Sequence, residues 1–519
     1  MTTAHAPTGI NTASLLEARA AQLPDKIALV HDGDRITFAQ LDETINRFAN
    51  YFRARGIKKG HKVVLFIQPS IEFSAVTFAL FKLGAVPVFI DPGMGVKNLR
   101  GAVAQVTPDA LIAIPKGLML AKVFRKDFAS AGIKLNATKL RAVTKDESAS
   151  FDKYLAPADE MAAILFTSGG TGTPKGVVYT HQIFINQTQM LQEMFDLTPE
   201  DVDFPCFSLF GFFTLAMGLT SHIPPINPTK LQDLDPRELV NMMKQHKVTF
   251  AAGSPLIWDR VADYCIDQNL KMPDLKSLVM FGAPVNVEMH EKWHKILPHG
   301  STYTPYGATE ALPISNISGN YILENTAAAS RDGAGTCIGT AVPGIDIRII
   351  NGDEIVVAGD VVTQHYFGNE AATRASKLEI DGKLFHKMGD VGRLDEQGRL
   401  WFYGRDVHVV ESDAGKMYST CCEIPFLSIP EVKNAALVGP EIGGGVVPSL
   451  VVELADGTAR MTNVLLSKLK DVRDEHQQCQ AIERFYLKEE FPVDVRHNIK
   501  IDRLALRDWV EQSPSRYYS

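Results

Sequence analysis

Residues 164 to 181 read Ile-Leu-Phe-Thr-Ser-Gly-Gly-Thr-Gly-Thr-Pro-Lys-Gly-Val-Val-Tyr-Thr-His, and these residue types suit a segment that wraps a polyphosphate. Ile164 to Phe166 are apolar and predict a buried strand, and a second β-branched strand is predicted from Val177. Between them run Thr167, Ser168, Gly169, Gly170, Thr171, Gly172, Thr173, Pro174, Lys175 and Gly176. Glycines let backbone N–H groups approach anionic oxygens, hydroxyls add donors or help to hold a metal, and the lysine supplies a fixed positive charge. A flexible surface hairpin is the competing reading, and the density of glycine, hydroxyl and lysine between two apolar strands weighs against it. The pattern is not the Walker one. Glycine rather than Ser or Thr follows the lysine, and a strand rather than a helix comes next.

The rest of the chain must position this stretch. At 519 residues it is too long for one ordinary core, so two or more domains are expected. Hydrophobic residues make up 45% and charged residues 22%, the balance of an ordinary globular protein. A net charge of -7 without a basic block argues against nucleic acid as a partner. Cys206, Cys265, Cys337, Cys421, Cys422 and Cys479 include no CxxC spacing, so neither a zinc site nor a disulfide framework is indicated, and reduced cytoplasmic thiols are expected. The first ten residues lack an apolar signal region, and no run of about 20 apolar residues could span a bilayer.

Helix-period text over Ala13 to Leu23, up to about Arg55 and over Ser70 to Leu83 alternates with β-rich runs at Lys26 to Val30, Ile36 to Phe38, Lys62 to Ile67, Val86 to Ile90 and Ala110 to Ile114. That alternation predicts an α/β fold with a parallel layer. Val202 to Thr220 is strongly apolar and on periodicity alone reads as one buried helix. Val248 to Ser254 and Ser277 to Phe281 read as strands, the second ending in Gly282-Ala283-Pro284, which as bare text is a turn. Gly333 to Gly339 has the wrong spacing for a dinucleotide fingerprint and reads as a turn before a strand over Ile345 to Ile350.

The stretch from Thr167 to Gly176 resembles the phosphate loop of the adenylate-forming superfamily, which includes acyl-CoA synthetases, luciferases and the adenylation domains of peptide synthetases. Family members usually read Thr-Ser-Gly-Ser/Thr-Thr-Gly-x-Pro-Lys-Gly, and here Gly170 replaces one hydroxyl. The family's Tyr-Gly-x-Thr-Glu is complete from Tyr306 to Glu310, and its Thr-Gly-Asp is matched by Met388-Gly389-Asp390. The resemblance implies that Gly282, Ala283 and Pro284 cradle adenine, that Tyr306 and Gly307 contact it with the tyrosine stacking on the ring, and that Thr309 touches the α-phosphate. It implies further that Glu310, with Thr171, holds Mg²⁺, and that Asp390 and Arg405 take the ribose. The bland alternative for Asp390 is an Asp-Val turn before a strand. Phe207, Leu209, Phe210 and Gly211 fall where the family lines its acyl pocket, and the lack of an aromatic or His at the Ser208 and Leu209 positions suits a long apolar chain.

Near the end, Arg496 to Arg503 resembles the family's Ser-Gly-Lys-Ile motif and puts the catalytic lysine at Lys500. Read alone, Lys500 would be a solvated charge. The resemblance divides the chain into a large domain, 1–404, that binds ATP and the acyl substrate, and a small mobile α+β lid, 405–519, that carries Lys500. The family hinge falls on Val407, with the acid displaced to Asp406. Several stretches resemble the β-lactone synthetases of bacterial long-chain olefin biosynthesis: Ser208 to Gly211, Ile223 to Thr229, Tyr306 to Pro313, Gly335 to Gly339 and Pro492 to Asn498. That resemblance implies ATP- and Mg²⁺-dependent adenylation of a 2-alkyl-3-hydroxy fatty acid, closure to a β-lactone, and work beside other enzymes of olefin synthesis. A long-chain acyl-CoA ligase, using coenzyme A, is the alternative.

Overall fold

Two sheets follow from the alternation of short β-branched runs with amphipathic helices. The structure, a computed structural model, describes residues 9–167, 174–227, 231–493 and 501–519. The first sheet runs Ile133–Asn136, Ala110–Ala113, Lys62–Phe66, Val86–Ile90, Met161–Thr167 and Lys175–Thr180. Its pairings are parallel until the last, where Met161–Thr167 meets Lys175–Thr180 antiparallel. The second runs Ser301–Tyr303, Ser277–Met280, Phe250–Gly253, Val202–Pro205, Thr220–His222, Ile27–His31 and Asp34–Thr37, parallel except for the last pair. Parallel neighbours need crossovers, which the helices supply.

Local chemistry sets those helices. Phe38–Ala54 begins at Thr37, whose hydroxyl accepts from the Gln40 N–H while the Gln40 side chain accepts from the Thr37 N–H. Ile71–Leu83 begins under the Ser70 hydroxyl and is buried along nearly its whole length. One apolar cluster draws on both sheets and on these helices. At its centre Phe81 is fully buried, with ring centroids 5.5 Å from Phe184, 5.6 Å from Phe212 and 5.7 Å from His181.

A third, antiparallel sheet follows in the order Tyr306–Ala308, Ala311–Asn316, Thr336–Ala341, Arg399–Arg405, Lys383–Leu394, Glu354–Ala358 and Asp346–Ile350, with Lys377–Ile380 paired to Lys383–Leu394. Beyond it lies a small α+β unit. Val432–Val438, Ser449–Leu454 and Arg484–Leu487 form its sheet, with helices Asn463–Glu475 and Arg503–Glu511. Its two cores are built from residues at or after Val410. It touches the larger part through Tyr418 and Lys416, which donate to Asp353 at 2.9 and 3.0 Å, and through Gln478, which donates to the Asp332 carbonyl at 2.8 Å.

Three readings of the bare sequence are corrected. Val202 to Thr220 is not one helix but strand, helix and strand: Val202–Pro205, Ser208–Met217 and Thr220–His222. All three pieces are largely buried, so the apolar run hides the breaks at Pro205 and Gly218. Thr336–Ala341 is a strand rather than a turn, because Thr336 and Cys337 pair with Phe402 and Trp401 from far along the chain. Asp390 lies inside the strand Lys383–Leu394 rather than in a turn before one.

Phe81→Ala is expected to cost about 3–5 kcal/mol, because a fully buried ring is removed from among other rings. A urea midpoint of the large-domain transition clearly below that of the unsubstituted protein checks this. An unchanged midpoint would show that the ring cluster is not the brace described.

Candidate active site

The site grows from the edge where the third sheet meets the first. Tyr306–Ala308 and Ala311–Asn316 form a tight hairpin, with Ala308 paired to Ala311. A Cβ on Gly307 would lie 2.7 Å from the Ala311 carbonyl oxygen, so only glycine lets the strands close there. The hairpin carries Tyr306, Thr309 and Glu310 within five residues of chain. Tyr179, from the phosphate-side strand, donates to the Thr309 carbonyl at 2.7 Å, and Gln187 donates to the Leu312 carbonyl at 2.8 Å. The first and third sheets are thereby joined at the hairpin.

Asp390 is buried, 5% exposed. Its Oδ2 accepts from the Tyr306 hydroxyl at 2.6 Å and its Oδ1 from Arg405 Nη1 at 3.0 Å. Asp390 and Arg405 are directly opposed in the register of two neighbouring strands. Burial, then the carboxylate, pushes the Tyr306 phenol upward, so it stays a donor. The structure therefore brings together Tyr306, Asp390 and Arg405, three of the residues that the resemblance assigns to adenine and ribose.

Glu310 is held in two ways. Its Oε1 accepts from the Tyr366 hydroxyl at 2.7 Å. Its backbone carbonyl accepts from the Thr363 N–H at 2.9 Å and the Thr363 hydroxyl at 3.0 Å. Burial and then Glu310 push the Tyr366 phenol upward. Lys175 opens the strand Lys175–Thr180, paired with Thr167, and its Nζ lies 5.3 Å from the Tyr366 ring centroid. The segment carrying Tyr366 is stitched to that strand, with the Phe367 N–H donating to the Gly176 carbonyl at 2.7 Å. Lys377 donates to the Thr363 carbonyl. Burial lowers Lys377 to about 8, against the pull of Glu310. His386, 3% exposed, is lowered to about 3 by burial and then by Lys377 and Lys175.

The adenine turn and the acyl segment meet through Phe281. Gly282 has φ of +91°, which glycine adopts without strain. With Ala283 and Pro284 it follows the strand Ser277–Met280. The Phe281 ring lies 5.7 Å from Phe210 in stacked geometry and 5.6 Å from Phe207 edge-on. Phe207 is 38% exposed, whereas Phe210 is buried. Leu209 instead packs on the main core, and Gly211 lies against Pro205. Of the four residues expected to line the acyl pocket, two thus pack against Phe281, beside Gly282, and two do not. Ser168, Gly169, Gly170, Thr171, Gly172 and Lys500 lie outside the described residues, as does the side chain of Thr167.

Sequence reasoning missed Tyr366, Thr363 and Lys377, and the packing of Phe281 against Phe207 and Phe210. Each acts by a contact between distant segments, and none stands in a short motif that could have flagged it. The Asp406–His408 stretch expected as a hinge is a single 3₁₀ turn after Arg405, with Val407 59% exposed.

Asp390→Asn keeps the shape but removes the charge that holds Arg405. It is expected to weaken AMP binding about tenfold or more, the scale of one hydrogen bond to a charged group. Calorimetric titration of AMP checks this, and an unchanged affinity would remove Asp390 from the nucleotide site.

The model of the AMP-binding enzyme family matches residues 16–367. An olefin beta-lactone synthetase of Xanthomonas campestris pv. campestris is 37% identical, over 97% of this chain and 98% of its own. One of Stenotrophomonas maltophilia is 36% identical, over 96% and 98%. ATP-bound MatB from Rhodopseudomonas palustris superposes with a TM-score of 0.81, covering 97% of this chain and 99% of its own; at 22% identity this speaks for the fold. The chain belongs to the AMP-binding family of adenylate-forming enzymes.

Proposed function

We propose that this enzyme adenylates a 2-alkyl-3-hydroxy fatty acid with ATP and closes it to a β-lactone, releasing pyrophosphate and AMP. The observation that carries the reading is the near full-length similarity to two olefin beta-lactone synthetases. The apolar Ser208–Met217 helix, with Phe207 and Phe210 beside the nucleotide turn, supports a long aliphatic substrate.

In the first step a carboxylate oxygen attacks the α-phosphorus, the bond to the β-phosphate breaks, and pyrophosphate leaves. Tyr306, Asp390 and Arg405 position the nucleoside; an ionised carboxylate such as Asp390 accepts hydroxyl hydrogen bonds of the kind a ribose diol offers. Gly282, Ala283, Pro284 and Gly307 give the adenine close backbone approach. Thr309 meets the α-phosphate, and Thr167 to Gly172 with Lys175 wrap the phosphates. Mg²⁺ prefers one or two carboxylates together with phosphate oxygens, and Glu310, fixed by Tyr366, is such a donor, with Thr171 as its companion. When bound, the ion would neutralise charge on the departing phosphates. Lys500 would bridge the acyl carboxylate and the α-phosphate, arriving on a lid, 405–519, that turns against the large domain, 1–404.

In the second step the substrate's own 3-hydroxyl oxygen attacks the activated carbonyl. The carbon–oxygen bond to AMP breaks, AMP leaves, and the hydroxyl proton is released. Nucleophile and electrophile are one molecule, so no external thiol is required. The mixed anhydride supplies the energy that offsets ring strain. We place the reaction in the cytoplasm, beside the other enzymes of olefin synthesis. Among the described residues no helix is long and apolar enough to cross a membrane.

Incubation of a racemic 2-alkyl-3-hydroxy fatty acid with ATP and Mg²⁺, with and without coenzyme A, tests the reading. A β-lactone and AMP without coenzyme A are expected, and Lys500→Ala should slow their formation on the order of 10²–10³-fold. A thioester formed only with coenzyme A would make the enzyme a long-chain acyl-CoA ligase instead.

A further inference from the structure

Behind Glu310 the structure gathers more positive charge than the predicted phosphate loop accounts for. Lys377 follows the helix Glu370–Ser376 and opens the edge strand Lys377–Ile380, directly opposite His386 in the register. Its ammonium donates to the Thr363 carbonyl, on the residue that grips the Glu310 backbone. Lys377 is the register partner of His386, and the positive charges of Lys377 and Lys175 are both felt there. His386 bonds the Ser376 backbone through its ring, yet its Nδ1 is buried and has no hydrogen-bond partner among the described residues. A buried ring nitrogen left open costs about 1–3 kcal/mol unless something pairs with it.

Two lysines, a buried open acceptor and one carboxylate held by a phenol make an uneven set. Glu310 can offset only one of the two cations. Such a set is complementary to a ligand that is strongly anionic and also carries an O–H donor. Pyrophosphate near neutral pH, still partly protonated, is that ligand. An ordinary structural reading accounts for the Thr363 contact but not for the open nitrogen beside the paired cations.

We propose that Lys377 is a second pyrophosphate-binding cation acting with Lys175, and that His386 Nδ1 accepts from the same ligand. The inference rests on the adenylation step alone and holds whether the final product is a lactone or a thioester. In catalysis Lys377 would stabilise the leaving group as the bond between the α- and β-phosphates breaks, then release it with the proton inventory of the protein unchanged.

Pyrophosphate, without Mg²⁺ and near neutral pH so that it stays partly protonated, and AMP are titrated separately, by calorimetry, into the full chain without acyl substrate. The unsubstituted protein should bind both. Lys377→Met should weaken pyrophosphate about 10- to 100-fold, as expected for one charge-assisted hydrogen bond, with AMP unchanged. Lys377→Arg should restore pyrophosphate to within about threefold, because it keeps the charge. His386→Ala should weaken pyrophosphate by a smaller factor and again leave AMP alone. In ATP–pyrophosphate exchange the Lys377→Met loss should fall on KM for pyrophosphate. Equal losses for AMP and pyrophosphate would make Lys377 a structural residue and overturn the proposal. So would unaltered pyrophosphate affinity in Lys377→Met, or failure of the unsubstituted protein to bind pyrophosphate.

Discussion

A buried carboxylate cannot be left alone in a protein interior; it has to be paired and hydrogen-bonded. Asp390 meets that demand with a guanidinium on one oxygen and a phenol on the other. The consequence reaches past one residue. Tyr306 sits on the edge hairpin, Asp390 on the long central strand, and Arg405 on the last residue of its neighbour. The demand of one charge therefore fixes three strands against each other. The chain passes from Arg405 straight into the short turn that leads to the small C-terminal unit. The candidate nucleoside site and the entry to that unit thus share one ion pair.

The phosphate end is built by a different device. Glu310 follows Tyr306 on the same hairpin, so whatever fixes the nucleoside also fixes the carboxylate. The segment from Thr363 to Phe367 then clamps it. Thr363 holds its backbone, Tyr366 holds its side chain, and Phe367 bonds to Gly176 beside Lys175. This connecting segment is a second tie, beside the hairpin contacts, between the third sheet and the first. Its rigidity sets the distance between the acidic and basic sides of the site. A positioned charge accelerates a reaction because little reorganisation remains when the transition state forms.

The parts of this site legible in the sequence are those whose chemistry fits within a few consecutive residues. Tyr306 to Glu310 and Met388 to Asp390 each hold backbone shape and functional group in one short run. The parallel layers were legible for a similar reason, because alternation of strand and helix is a local period. What escaped depends on distance. Tyr366, Thr363 and Lys377 matter only because folding sets them against Glu310 and His386. Thr336–Ala341 carries glycine and threonine that look like a turn, and becomes a strand through Trp401 and Phe402. Val202 to Thr220 shows no period that separates helix from strand, because Phe204, Leu215 and Leu219 are all fully buried.

If Asp390 is the joint of the nucleoside site, both ribose hydroxyls should matter. The direct measurement is a calorimetric comparison of AMP with 2′-deoxy-AMP and 3′-deoxy-AMP on the intact protein. A carboxylate that accepts from both hydroxyls predicts a loss of about tenfold for each deoxynucleotide, the scale of one hydrogen bond to a charged group. Equal affinities for all three nucleotides would contradict it and leave the ion pair with Arg405 as a feature of the fold alone.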